Sequence, residues 1–134
     1  KGGAAIAKLQ QALTIARTLS DRKLEATLLK EIGVSYANQE QYLQTLEYYE
    51  SALKIYQALD DRSEIAKTLN QMGVVYGRQG QFLKSRELYQ QALTRYRALG
   101  DRPEEGTVLA NLGNSYTYLG DYAQALELLQ QALK

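Results

Sequence analysis

Two adjacent acidic pairs, Asp60-Asp61 and Glu104-Glu105, are the side chains best suited to acid/base or metal chemistry in this 134-residue chain. Both stand where helical patterns begin, so capping and compensation of the helix dipole account for them better than catalysis does. The other usual equipment is missing. There is no histidine and no cysteine, which removes the common proton shuttle, the commonest metal ligand and all thiol chemistry. The chain contains no phosphate-binding Gly-rich loop, dinucleotide fingerprint, Ser-His-Asp set or His-based metal motif. The expectation is a non-enzyme with no cofactor and no metal. Lack of cysteine fixes no compartment, and a cytoplasmic setting is the preference.

Tyrosine is the next chemically distinctive residue, with 11 copies against one Phe and no Trp. Stacking on nucleic-acid bases is the functional use of such rings. Tyr36, Tyr76, Tyr116, Tyr49 and Tyr89 instead recur at fixed offsets, which assigns them to packing. Tyr48, Tyr56, Tyr96 and Tyr118 are less regular and are expected to be more open to solvent. A net charge of +1, from 16 basic and 15 acidic residues, gives no electrostatic case for nucleic acid or an anionic membrane. No apolar run approaches the roughly 18 residues of a membrane-spanning helix.

The elements that carry these residues follow from a repeat. Asp21-Arg22, Asp61-Arg62 and Asp101-Arg102 stand 40 residues apart, as do Gly33, Gly73 and Gly113. A period in this range means stacked units that bury apolar faces against their neighbours. In the middle unit Ile65, Leu69, Met72 and Tyr76 share one helical face. Asp61 with Glu64, and Asp101 with Glu104, spell a capping box at the helix start, and Pro103 suits the first turn. Leu24 replaces the Glu in the first unit, leaving only the Asp21 cap. Gly80 and Gly120 can end a helix in the left-handed conformation. Glu40 stands there in the first unit, so that turn is strained or different. A second helix begins near Phe82, with counterparts at Tyr42 and Tyr122, and carries Leu88, Tyr89, Ala92, Leu93, Tyr96 and Leu99 inward. The count is seven helices, an all-α solenoid. An unpaired helix in 1–20 precedes units at 21–60, 61–100 and 101–134, and the whole is expected to be a fragment of a longer protein.

The pattern resembles the tetratricopeptide repeat, a helix-turn-helix unit of about 34 residues. The first unit supplies Leu29, Ile32-Gly33, Tyr36, Thr45, Tyr49 and Ala52. The middle unit supplies Leu69, Met72-Gly73, Tyr76, Ser85, Tyr89 and Ala92. The last supplies Leu109, Leu112-Gly113, Tyr116, Ala125, Leu129 and Ala132. Gln57 and Arg97 replace the family's late proline, and each unit is six residues longer. That 40-residue variant is similar to the repeats of kinesin light chains, Leu-Gly-Asn-type adaptors and bacterial multi-repeat proteins. The resemblance implies an α-α superhelix whose first helices line a concave peptide-binding groove. The groove positions would be Thr27, Lys30, Glu31, Val34 and Asn38 in the first unit. Lys67, Asn70, Gln71, Val74 and Arg78 follow in the second, and Thr107, Ala110, Asn111, Asn114 and Tyr118 in the third. Amides there can pair with a peptide backbone, and the cations with carboxylates. The family's chaperone-type carboxylate clamp does not fit, because of its positions Lys30, Val34, Gln71, Thr107 and Asn111 only Lys30 matches.

These residues point to a scaffold that binds a protein or peptide partner. The alternatives are a spacer that self-associates end to end and the sensor segment of a larger regulator. Mid-helix Gly33, Gly73 and Gly113 face the small residues Thr45, Ser85 and Ala125 across each helix pair, which allows close backbone approach. Gly73→Leu is expected to destabilise the fold by roughly 1–3 kcal/mol through overpacking. Urea melts that show no change would mean that the two helices do not meet there.

Overall fold

The computed structural model describes residues 2–134, and the described residues form seven helices and no strand. They divide into a first unit ending at Asp61 and a second unit, Arg62–Lys134. The first holds α1 (Gly2–Thr18), α2 (Arg22–Asn38) and α3 (Tyr42–Ala58). Each packs on the next, around Ile6, Leu13, Ala16, Leu29, Ile32, Tyr49, Ala52 and Ile55. The second holds α4 (Arg62–Arg78), α5 (Phe82–Leu99), α6 (Arg102–Tyr118) and α7 (Tyr122–Ala132). Its core is built from Ile65, Leu69, Met72, Leu88, Tyr89, Leu93, Val108, Leu112 and Leu128. The long second helices anticipated from Gln57 and Arg97 are present, since α3 and α5 run on to Ala58 and Leu99.

One device closes every connection. A left-handed residue recurs every 20 positions: Ser20, Glu40 and Asp60, then Gly80, Gly100 and Gly120. At Gly80 its amide donates to the Gly77 carbonyl at 3.0 Å, and the next amide, of Gln81, donates to the Tyr76 carbonyl at 2.9 Å. The same two bonds form at the other five connections, and they satisfy carbonyls left over at the helix end. Glu40 adopts φ 59°, so the turn keeps its geometry and accepts the strain. The chain can then start the next helix at once. The Asp21, Asp101 and Asp121 carboxylates accept from the amides of Leu24, Glu104 and Gln124 at 3.1, 3.3 and 3.2 Å. Gln41 and Gln81, in the equivalent place before α3 and α5, make no side-chain cap. The capping box expected at Asp101 is half formed. The Asp101 amide goes to the Tyr96 carbonyl, and the Glu104 carboxylate takes a hydrogen bond from the Tyr96 side chain.

The helix pairs meet at the glycines. A Cβ on Gly33, Gly73 or Gly113 would lie 2.8, 2.6 or 2.8 Å from the side chain of Tyr49, Tyr89 or Leu129. The small partners contribute as well, because the Thr45 and Ser85 hydroxyls donate to the Gly33 and Gly73 carbonyls at 2.9 and 2.6 Å. The empty space at each glycine is therefore filled by a large side chain rather than by a small one alone.

Three expectations change. Leu99, placed on an inner face, is exposed; it is the last residue of α5, beside the left-handed Gly100 turn. Tyr56, expected to be more open, is among the most buried side chains at 1% exposure, and Tyr96, which its helix face and its irregular recurrence read in opposite ways, is buried at 2%. Tyr36, Tyr76 and Tyr116, assigned to packing, are only half-buried, each lying against a neighbour on an adjacent helix. Tyr36 stacks on Tyr48 at 5.6 Å, and Lys84 and Arg86 sit over Tyr76 and Tyr116 at 5.9 and 5.4 Å.

The left-handed Glu40 yields a stability prediction. A non-glycine residue there costs roughly 1–2 kcal/mol, while glycine loses roughly 0.4–1 kcal/mol through the entropy of the unfolded chain. Glu40→Gly should raise stability by about 0.5–1 kcal/mol, read as a higher urea midpoint at unchanged slope.

Candidate functional site

The candidate residues separate by unit. In the first, Lys30 is buried, with its ammonium 5.9 Å over the Tyr56 ring. It was expected on an open groove face, and a buried lysine does not offer its charge to a ligand. Val34 is half-buried, and Thr27, Glu31 and Asn38 are exposed. The Thr27 hydroxyl donates to the Lys23 carbonyl at 3.1 Å, inside its own helix.

The second unit gathers most of the others. Val74 and Arg78 of α4 and Asn111, Asn114 and Tyr118 of α6 line an open hollow of about 430 Å³. Asn111 donates through its side-chain amide to the Asn70 side chain at 3.1 Å, tying α6 to α4. Lys67 is exposed and Gln71 half-buried, and neither lines the hollow. The Oε1 of Gln71 is buried without a hydrogen-bond partner among the described residues.

Phe82, Tyr89, Gly77 and Ser115 also line the hollow, and sequence reasoning did not select them. Phe82 begins α5 and stacks on Tyr118 with ring centres 4.4 Å apart and planes 4° from parallel. Such a pair buries one face of each ring and makes a rigid wall. Tyr118 remains 70% exposed, so a large part of that wall is open to a ligand. Tyr89 comes from α5, behind α4. Its ring crosses at Gly73, whose missing side chain leaves the passage, and so reaches the hollow. The one signal for this was that the only Phe of the chain stands beside a left-handed Gly-Gln turn. Nothing in the spacing separated Tyr89 from the other packing tyrosines.

Burial pushes the Tyr89 phenol up to about 12, opposed in part by the positive charge of Arg78. Burial does the same for Tyr96, reinforced by Glu104, Asp101 and Glu64 and by the hydrogen bond to Glu104, again to about 12. Arg97 and Glu105 bridge at 3.2 Å across the α5–α6 connection, and Arg17 and Glu25 at 3.1 Å across the α1–α2 connection. Glu25 is buried and also bonds Arg22 at 2.8 Å. These pairs brace connections and lie outside the hollow. No group of three acidic, His or Cys side chains among the described residues could hold a metal ion. No helix among the described residues is long and apolar enough to cross a membrane.

The chain belongs to the tetratricopeptide repeat family, whose model matches residues 24–98 and again 64–134. No curated protein matches it in sequence. Solved structures share the fold at low identity. BtubC (BKLC) from P. vanneervenii superposes with TM-score 0.89 at 22% identity, over 98% of this chain and 55% of that one. The chain thus spans about half the length of that structure. The TPR domain of Arabidopsis FLU gives TM-score 0.78 at 19% identity, over 84% of this chain and 94% of that one. The kinesin light chain-like protein from Podosopora anserina with nearly identical TPR-like repeats gives 0.81 at 19%, over 98% and 65%. The fold is therefore the all-α TPR-like one, and the general role of the family is protein–protein interaction without catalysis.

The raised phenols predict a loss of stability in alkali. Between about pH 10 and pH 12 the native state keeps a proton that the unfolded chain releases, so stability is complete below pH 10, falls progressively as the pH rises toward 12 and levels off above it,. Urea melts from pH 9 to 11.5 should show that fall, and Tyr96→Phe should make it shallower. An unchanged slope would mean that Tyr96 ionises as readily folded as unfolded.

Proposed function

We propose that this chain is a protein-interaction module that holds an extended segment of a partner in the hollow between α4 and α6. The observation that carries this reading is convergence. Arg78, Asn111 and Asn114, with the exposed face of Tyr118, surround one open space, and neither Arg78 nor Asn114 forms an ion pair or side-chain hydrogen bond among the described residues. An asparagine amide offers both donors and an acceptor, which suits the alternating polarity of a peptide backbone. A stacked aromatic wall supplies apolar area with little entropy left to lose. Nothing else in the hollow suggests covalent chemistry, since nucleophile and base are not paired there.

Selection from a displayed library of random peptides provides the test. Peptides that bind the wild-type chain should bind the triple variant Asn111→Ala, Asn114→Ala, Tyr118→Ala at least about tenfold more weakly. Loss of a few hydrogen bonds, each worth roughly 0.5–1.5 kcal/mol, amounts to that. Helicity by circular dichroism should stay constant. Equal affinity for the variant would move the binding surface elsewhere.

A further inference from the structure

The floor of the hollow holds a phenol that no neighbour engages. The Tyr89 ring is packed away, leaving the residue 5% exposed, and its hydroxyl has no hydrogen-bond partner among the described residues. That hydroxyl is not shut off from solvent, since the Gln71 Oε1 is the buried side-chain polar atom left without a partner among the described residues. It opens into the hollow, where it can donate to a ligand,. The ring reaches the hollow only because position 73 lacks a Cβ, which would lie 2.6 Å from the ring. Arg78, on the last turn of α4, lines the same space and makes no ion pair among the described residues. A phenol donor and an uncompensated guanidinium thus face one cavity, with the Asn114 amide on the opposite helix and the Phe82–Tyr118 stack at the side.

We propose that Tyr89 and Arg78 form an oxyanion subsite that takes the side-chain carboxylate of an Asp or Glu in the bound partner segment. This rests on the reading of the hollow as a peptide site and adds what that peptide must carry. Two donors, one of them charged, match the two oxygens of a carboxylate, and bonds with an ionised partner are the stronger kind. The charge count favours a monoanion. Among the described residues Arg78 is the one cation lining the hollow, and it stands at the C-terminal end of α4, where the helix dipole is negative,. A phosphate ester, near two negative charges at neutral pH, would be left undercompensated there. The influence of Arg78 on the Tyr89 phenol is consistent with the two groups sharing one field. The site differs from the family's chaperone-type clamp, whose positions Lys30, Val34, Gln71, Thr107 and Asn111 include neither residue.

The test uses the peptides selected from the random library against the intact chain. Their sequences should share an Asp or Glu at one fixed position. Replacing it by Asn or Gln, or making Tyr89→Phe or Arg78→Gln in the protein, should each weaken binding about tenfold. The losses should be strongly non-additive between peptide and protein, as expected of groups in direct contact. Tyr89→Phe keeps the ring, so an unchanged thermal midpoint separates a lost hydrogen bond from a damaged fold. Binders without an acidic preference that are indifferent to Tyr89→Phe, yet still lost with the Asn111, Asn114 and Tyr118 variant, would overturn the subsite and leave the peptide site standing. A phosphoserine peptide that binds more tightly than its Asp counterpart would overturn the carboxylate assignment. A library that yields no binder would remove both readings together.

Discussion

The close approach of the two helices in each pair, at Gly33, Gly73 and Gly113, is the contact on which the other features depend. Glycine in mid-helix costs about 1 kcal/mol relative to alanine. Against that, burying an aromatic or leucine side chain returns roughly 1.5–3 kcal/mol. At Gly33 and Gly73 a buried hydroxyl from Thr45 or Ser85 also satisfies the glycine carbonyl a second time. The balance favours glycine because the space its side chain would occupy is already taken by Tyr49, Tyr89 or Leu129. At Gly73 the same gap does something further. It lets a side chain from the middle of α5 pass α4 and reach the hollow, which α5 otherwise meets at its first residue, Phe82.

The connections hold that approach in register. Each left-handed residue closes one helix with two backbone hydrogen bonds, and the residue after it occupies the capping position of the next. Helix end and helix start therefore share a single short turn, which leaves few geometries for the pair. The first unit uses Ser20, Glu40 and Asp60 for this, and the second uses Gly80, Gly100 and Gly120. The turn survives the exchange because its hydrogen bonds do not involve side chains. Ion pairs at the connections add little where exposed. Glu25 is the exception, since its buried carboxylate is held between Arg17 and Arg22.

Several of the residues that face the hollow break the period. Position 78 is Arg, while its counterparts are Asn38 and Tyr118. Position 82 is Phe, with tyrosine at 42 and 122, and Asn114 corresponds to Val34 and Val74. Repetition constrains the residues between stacked helices, because every unit meets the same kind of neighbour. A surface that must fit one partner has no such constraint. The hollow accordingly joins unlike side chains from equivalent positions of α4 and α6, such as Val74 and Asn114, or Arg78 and Tyr118.

Periodicity was enough to establish seven helices, their approximate bounds, the turn positions and the glycine contacts, because each of these depends on residues close in sequence or repeated at a fixed interval. The resemblance to the tetratricopeptide repeat, rather than the period, brought Val74, Arg78, Asn111, Asn114 and Tyr118 forward as candidates. The burial of Lys30, Tyr56 and Tyr96, the pairing of Asn70 with Asn111, the Phe82–Tyr118 stack and the passage of Tyr89 past Gly73 belong to the tertiary structure alone. Spacing tells which side of its own helix a residue occupies. How far a long side chain travels beyond that side depends on the gap its neighbours leave, and only the packed helices set that gap.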